Sequence, residues 1–471
     1  MQRFSLRDLT RATGGRLRDV SNIDACFDRV FIDSREVQPG SIFWALKGEH
    51  LDGHHFTGEA HQRGAHLSVV AAESASAVSG AVLIVDNPLT ALGRFAAWHR
   101  HRLDPLVIGI TGSVGKTTTR ELTYAALGCQ FQGIRSRKNY NNLIGLPLSL
   151  LELNSSHEFA VIEMGASRVG DIRELCDIAC PEIGIVTAVG PAHLESFGSL
   201  AAVFQAKGEL LEQLPTTGFA VLPGDDPDLR QMADRAPCPV IFVGQGDDNH
   251  IQATQIEPRP GNLRFHCEGT RFDVPVNGRH AVSNALCAIG VGLEIGIPIE
   301  QLASGLARFS PPPGRGGLQK IGPWTVLDDT YNASPLSVAA ACHALNELAI
   351  PGVQKRMLVL GDMRELGSTS KMEHERIGRL AAQLQIDRIL VCGEFADDVA
   401  RGAIQSGMNP EQVAAATHVE SLLAVLNRWL EPNDILLVKG SRSTRMERVI
   451  EWLNSCAEFA FTAERQQKAC A

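Results

Sequence analysis

The middle of the chain alternates short, uninterrupted apolar runs with stretches of helical periodicity. From Leu106 onward the runs are LVIGIT, FAVIEMG, EIGIVTAVG, GFAVLPG and PVIFVG. Strands covered on both faces read as continuous apolar runs, so this pattern predicts a doubly wound α/β domain with a mostly parallel sheet. Ahead of it, shorter runs (Val30 to Ile32, Ile42 to Ala45, Leu67 to Ala71, Val82 to Val85) are separated by turn clusters such as VQPGS and LDGHHF. They predict a small α/β domain over residues 1–98. The polar stretch WHRHRLDP, closed by proline, reads as a linker. Ala281 to Phe309 is helical in pattern, and SPPPGRGG at 310–317 interrupts any regular element, so the central domain is expected to span 99–313. Beyond it WTVLDDT, RMLVLGD, DRILVCG and DILLVKG alternate with helical stretches, predicting a Rossmann-like α/β domain over 314–471.

A length of 471 residues exceeds what one core usually serves, and 44% hydrophobic residues supply ample surface for three. The net charge of −9 is spread without a basic block. That excludes a nucleic-acid partner, which needs clustered cations to displace counterions. The N-terminal MQRFSLRDLT lacks a secretory apolar core, and no run approaches the roughly 18 apolar residues that span a bilayer. A cytoplasmic protein without a membrane segment is expected. The eleven cysteines are scattered. Cys176 and Cys180 have helical spacing but no partners at zinc spacing, so the cysteines read as reduced core thiols.

The strongest local signal is ITGSVGKTTT at 110–119, where a buried strand enters a glycine loop and then a helix. Glycines let backbone N–H groups turn toward an anion, the helix N-terminus adds partial positive charge, and lysine and hydroxyl groups follow. Gly112, Ser113, Val114, Gly115, Lys116, Thr117 and Thr118 are therefore the phosphate-binding candidates. The pattern departs from G-x-x-x-x-G-K-[ST], having Ile110 where the first glycine would stand. A plain strand-to-helix turn capped by lysine is the alternative. No N-K-x-D guanine signature follows.

Three more side chains bear on the chemistry. Glu163 ends the run FAVIEMG, at the sheet edge where doubly wound folds bind ligands, and a carboxylate there can hold magnesium. The alternative is a solvated strand-end charge. His193 lies in the loop after EIGIVTAVG, either as a metal-ligating imidazole or as a solvated side chain. In SLAAVFQAKGELLEQL, Leu200, Val203, Phe204, Leu210, Leu211 and Leu214 form an apolar stripe that includes Lys207. A lysine aimed inward has a lowered pKa and a larger nucleophilic fraction, whereas a snorkelling one keeps its head in water. Periodicity leaves both open.

Together these residues resemble the Mur ligase family of ATP-dependent amide-forming enzymes, whose loop is the shorter T-G-x-x-G-K-T form. The resemblance extends through DSREVQPGSIFWALKGEHLDGHHF, EMGASRVGDI, AHLESFGSLAAVFQAKGE and GRHAVSNALCAIG. KNYNNLIGLPLSLL, DDTYNASPLS, LGDMRELG and VKGSRSTRME are similar to the branch that adds D-alanyl-D-alanine, and the D-N-P-R motif of the diaminopimelate-adding branch is absent. Asp171, Ser334 and Leu336 depart from that branch's pattern. The resemblance implies a UDP-sugar-binding first domain, a central P-loop ATPase domain and a C-terminal acceptor domain, in a monomer. It also implies that ATP activates the terminal carboxylate of UDP-N-acetylmuramoyl-tripeptide as an acyl phosphate for attack by D-alanyl-D-alanine.

Carried onto this chain, the resemblance gives phosphates to Lys116 and the loop amides, and one magnesium ion to Thr117 and Glu163. It gives a second magnesium to His193 and Lys207, the lysine as a carbamate formed with carbon dioxide. Asn284 matches an adenine contact, Asp329, Tyr331 and Asn332 match contacts to ribose and base, and Arg315 matches a hinge arginine near the nucleotide. Ser34, Arg35, Lys47, Asp52 and His54 match the UDP-binding loops, and Lys439 and Arg442 match a seat for the dipeptide carboxylate. The rival readings are a diaminopimelate- or lysine-adding ligase, a folylpolyglutamate-type synthase, and a nucleotide switch without a second metal site.

Overall fold

The computed structural model describes residues 1–469, with side chains to Glu458. Cys470 lies outside the described residues. Three large sheets organise the chain, beside a two-stranded antiparallel pair, Phe4–Ser5 with Cys26–Phe27. The first has the order Arg16–Arg18, Val82–Val85, Leu67–Ala71, Ile42–Trp44, Val30–Phe31, parallel apart from its Arg16–Arg18 edge.

The central sheet has nine strands. Its parallel part runs Gly133–Arg135, Phe159–Glu163, Leu106–Thr111, Ile183–Val186, Phe219–Pro223, Val240–Gly244, Ile251–Arg259. The strands expected from apolar runs all lie here, and Phe159–Glu163 is buried at every position. The same sheet continues into an antiparallel meander, Ile251–Arg259, Asn262–Cys267 and Thr270–Val274, that the run-based reading passes over. Its signal is alternation: Leu263, Phe265 and Cys267 face the core while Asn262, Arg264 and His266 do not.

The third sheet has the order Gly317–Ile321, Trp324–Asp329, Ile435–Lys439, Arg356–Gly361, Arg388–Cys392, Val413–Ala416, with only the first pair antiparallel.

The stretch expected to be a linker is instead the end of the helix Pro88–Leu103, which Asn87 caps through Leu89 and Thr90 N–H and Asp104 ends in a left-handed conformation. Two of its polar residues are interior. His99 is fully buried and bonds the Leu153 carbonyl at 3.0 Å, and Arg100 donates to the carbonyls of Ala179 (3.2 Å) and Cys180 (3.1 Å). One apolar cluster, from Phe4 through Phe95 and Leu150 to Met232, passes through this helix and joins the first two domains. The C-terminal sheet carries separate clusters on its two faces, around Leu345 and Leu437 and around Val438 and Leu453. All ten cysteines among the described residues are unpaired, and five of them are buried.

Candidate functional site

The strand Leu106–Thr111 lies between Phe159–Glu163 on one side and Ile183–Val186 on the other, where the strand order reverses. The carboxyl ends of strands flanking such a reversal form the crevice in which open α/β sheets bind ligands. Three of the sequence's candidate stretches, 112–118, Glu163 and the segment leading to His193, leave the sheet at this edge.

The loop is held in shape by its neighbour. Ser113 N–H donates to the Ala188 carbonyl at 2.7 Å, Ser113 Oγ to the Gly190 carbonyl at 2.9 Å, and Thr187 Oγ1 to the Val114 carbonyl at 2.5 Å. Gly112 and Gly115 have φ of 143° and 85°, a region that disfavours side chains. A Cβ on Gly115 would also sit 2.7 Å from Asn284 Oδ1. The helix Lys116–Leu127 then begins, presenting its first N–H groups to the crevice. The Lys116 ammonium folds back onto the Gly112 carbonyl at 2.5 Å. Desolvation pushes its pKa down, against the pull of Glu163.

Glu163 is buried and fully engaged. Its Oε2 accepts from Thr117 Oγ1 at 2.9 Å and from Arg120 at 3.1 Å, and its Oε1 accepts from Asn141 Nδ2 at 2.9 Å. Arg120 and Asn141 escaped residue-level reading. Asn141 stands inside the quoted NYNN motif, whereas Arg120, in TTRELT, reads as an ordinary outward cation of an amphipathic helix. Thr117 and Glu163 supply hard oxygen donors 2.9 Å apart beside the phosphate loop, a pair that fits magnesium.

Lys207 is 2% exposed in the helix Leu200–Glu212, which settles its direction inward. Its Nζ lies 5.7 Å from the centroid of Phe197. Burial, reinforced by the Lys116 charge, lowers its pKa to about 7. Leu200, expected on the same buried stripe, is 46% exposed: it is the first residue of the helix, just after the Ser199 cap, before the packed turns begin. Glu209, also buried, accepts from Gly170 N–H at 2.6 Å and so caps the neighbouring helix Asp171–Ala179.

His193 pairs through Nδ1 with Glu365 of the C-terminal domain, and burial lowers its pKa against that carboxylate's pull. Among the described residues, no three His, Cys, Asp or Glu side chains converge as a ready-made metal cage.

Two cavities flank the loop, and Ser113, Val114 and Gly115 form a wall common to both. One, of about 610 Å³, is lined by Thr118, Asn284, Asp329 and Lys439. The other, of about 580 Å³, is lined by Lys116, Thr117, Glu163, His193, Tyr331 and Arg442. Arg315 and Asn332 reach both, and the Arg315 guanidinium stacks 3.9 Å from the Tyr331 ring centroid. Lys439 is 2% exposed and donates to Asp329 Oδ2 at 2.5 Å and to the Asn332 carbonyl at 2.8 Å. It braces Asp329 and the Asn332 backbone, while Arg442 stays largely exposed beside Glu447.

In the first domain, Ser34 donates to Glu59 at 2.9 Å and Arg35 pairs with Asp33 at 2.6 Å. Asp52 caps His54 N–H at 3.0 Å and lies 2.6 Å from its Nδ1, while His54 Nε2 accepts from Ala71 N–H at 2.9 Å. Lys47 and Asp52 form an isolated backbone bridge that closes this loop.

A phosphate loop at a sheet's reversal point, with a carboxylate and a buried lysine beside it and a separate α/β domain across the cavity, defines a multidomain nucleotide-binding enzyme. The chain belongs to the Mur ligase family. Residues 27–99 match the Mur ligase family catalytic domain, 110–292 the Mur ligase middle domain and 314–442 the Mur ligase glutamate ligase domain. It is 34% identical to the UDP-N-acetylmuramoyl-tripeptide--D-alanyl-D-alanine ligase of Escherichia coli, covering 95% of this chain and 98% of that protein. It is 32% identical to the ligase of the same name from Bacillus subtilis, covering 96% and 98%. The crystal structure of MurF from Acinetobacter baumannii superposes with a TM-score of 0.88 at 30% identity, over 97% of this chain and 99% of that one. MurF ligase from Thermotoga maritima, in complex with ADP, gives 0.80 at 29% identity, over 92% and 98%.

Proposed function

We propose that this protein joins the terminal carboxylate of UDP-N-acetylmuramoyl-tripeptide to the amine of D-alanyl-D-alanine at the expense of ATP, in peptidoglycan precursor synthesis. The observation that carries this reading is the loop wall common to two cavities. A nucleotide lying along one cavity brings its outer phosphate to the boundary of the other, where a carboxylate can meet it.

A carboxylate is a poor acyl donor because oxide is a poor leaving group; phosphorylation supplies a better one. Two anions must approach, so fixed cations and oriented donors are required. Lys116 leaves the Gly112 carbonyl to bind the outer phosphates, together with the N–H groups of Gly112, Ser113, Val114, Gly115, Thr117 and Thr118. Thr117 and Glu163 would hold magnesium, and His193 with Lys207 a second ion, adding positive charge where the anions meet. The lysine would need conversion to an oxygen ligand for that task, and its lowered pKa supplies a neutral amine able to attack carbon dioxide, giving up a proton to solvent as the carbamate forms. Asn284 serves the base, Asp329, Tyr331 and Asn332 the nucleoside, and Arg315 the junction of the two cavities. Lys439 acts through Asp329. The attacking amine then displaces phosphate through a tetrahedral intermediate.

In the same reading residues 1–98 hold the uridine nucleotide through Ser34, Arg35, Lys47, Asp52 and His54. Residues 99–313 hold ATP, and 314–471 the dipeptide, with Arg442 facing its carboxylate. Phosphate release is expected only with ATP, UDP-N-acetylmuramoyl-tripeptide and D-alanyl-D-alanine all present. Equal hydrolysis of ATP without either acceptor would favour a nucleotide switch instead.

A further inference from the structure

Among the described residues, two carboxylates line the cavity between the phosphate loop and the C-terminal domain, Glu163 and Glu365. Glu163 has both oxygens occupied by Thr117, Arg120 and Asn141. Glu365 differs. Its Oε2 pairs with His193 Nδ1, its Oε1 has no partner among the described residues, and its side chain is 55% exposed. Arg364, beside it in sequence and paired with Asp362 at 2.9 Å and Glu394 at 3.1 Å, and Arg442, paired with Glu447 at 3.1 Å, line the same cavity with their remaining N–H groups unassigned.

The loop bearing Glu365 is fixed from beneath. Asp362, fully buried, accepts from Glu394 N–H at 2.9 Å and Phe395 N–H at 3.1 Å. Met363 N–H donates to His374 Nε2 at 2.9 Å, and Arg364 N–H to Ser441 Oγ at 2.9 Å. The Glu365 carbonyl itself accepts from Glu195 N–H of the central domain at 3.1 Å. A charged side chain on so constrained a backbone meets a ligand without first being ordered.

We infer that Glu365 receives the ammonium of the acceptor dipeptide, while Arg364 and Arg442 face its carboxylate, so that the site selects a zwitterion with a free α-amine. The inference rests on the ligase reading above. It assigns the amine end of the acceptor to a residue on the C-terminal domain, across the cavity from Lys116 and Thr117, so that docking the dipeptide brings its nitrogen, a nucleophile once the ammonium has passed a proton to the Glu365 carboxylate or to solvent, toward the activated carboxylate.

The test compares D-alanyl-D-alanine with propanoyl-D-alanine, which keeps the carboxylate and amide but lacks the amine, as a competitor of dipeptide-dependent phosphate release. The natural protein is expected to bind the dipeptide about tenfold or more tightly than the analogue, the scale of one charge-assisted contact. Glu365→Gln keeps an acceptor for His193 but loses the charge, and is expected to bring the two affinities together by weakening the dipeptide alone; Glu365→Asp restores part of the difference. A Glu365→Gln protein that keeps the natural ratio, or weakens both compounds equally, overturns the inference and leaves the ligase reading standing. A natural protein whose phosphate release ignores the dipeptide overturns the ligase reading itself.

Discussion

Arg120 reaches Glu163 at 3.1 Å with both side chains 3% exposed, so the strand-end carboxylate beside the phosphate loop is half of a buried ion pair. Removing the cation alone strands a buried charge, which costs on the order of 3–5 kcal/mol. Arg120→Ala is expected to lower the denaturant midpoint accordingly. A loss below about 1 kcal/mol, the scale of an exposed pair, would show that water reaches Glu163.

Gly115 occupies a left-handed conformation, φ 85°, and faces Asn284 Oδ1. Gly115→Ala adds roughly 1–2 kcal/mol of backbone strain and forces Asn284 aside, at one of the three residues forming the wall between the cavities. The expected result is a KM for ATP raised about tenfold or more, with circular dichroism unchanged. An unaltered KM would mean that the loop reshapes on binding nucleotide.

Lys207→Ala is expected to abolish ligation, and excess chloride or short carboxylates to restore part of it by standing in for the lost carbamate. Near-normal activity in the untreated variant would remove Lys207 from the metal site. Phosphate release under each anion, at fixed ATP and magnesium, provides the readout.

The same lysine sets a pH dependence of stability. Its pKa falls from an ordinary 10.5 to about 7 in the fold. Between those values the unfolded chain binds a proton that the native state lacks, so stability from this group rises with pH across the window. Below about pH 7 both states are protonated and the whole cost of the buried charge is present. Lys207→Met is therefore expected to be more stable than the natural protein at pH 6–7, with the gap narrowing steadily toward pH 10. A gap independent of pH would mean that the ammonium is solvated.

How far the sequence could be read follows from what each residue's signal depends on. Parallel strands such as Leu106–Thr111 declare themselves because both faces are covered and every position before the terminal threonine is without a polar side chain. Lys207 was legible as an intruder in an apolar stripe, although the stripe alone did not give its direction. The helix end at His99 and Arg100 was misread because polarity there serves burial: the partners are carbonyls of Leu153, Ala179 and Cys180, distant in sequence. Arg120 and Glu365 were hidden for the same reason, since each owes its role to a carboxylate or imidazole on another element. Lys439 shows the converse. Its motif marks the site, yet its ammonium serves Asp329.

Among the described residues, the C-terminal domain shares no apolar cluster with the rest of the chain. Its ties to the central domain include Asn277 Nδ2 to the Gly316 carbonyl at 2.8 Å, Arg279 N–H to Glu347 at 2.9 Å, and the His193–Glu365 pair. The connecting segment 310–317 holds Gly314 and Gly316 at φ of 70° and 73°, next to three prolines that stiffen the approach. Polar contacts exchange for water at little cost, whereas the cluster uniting the first two domains does not, so motion concentrates at this one joint. Small-angle scattering is expected to show a smaller radius of gyration once ATP, the tripeptide nucleotide and propanoyl-D-alanine are added. Glycine-to-alanine changes at 314 and 316 are expected to reduce that difference and slow turnover together. Identical scattering curves with and without the ligands would place both cavities in a rigid body and make the joint a passive connection.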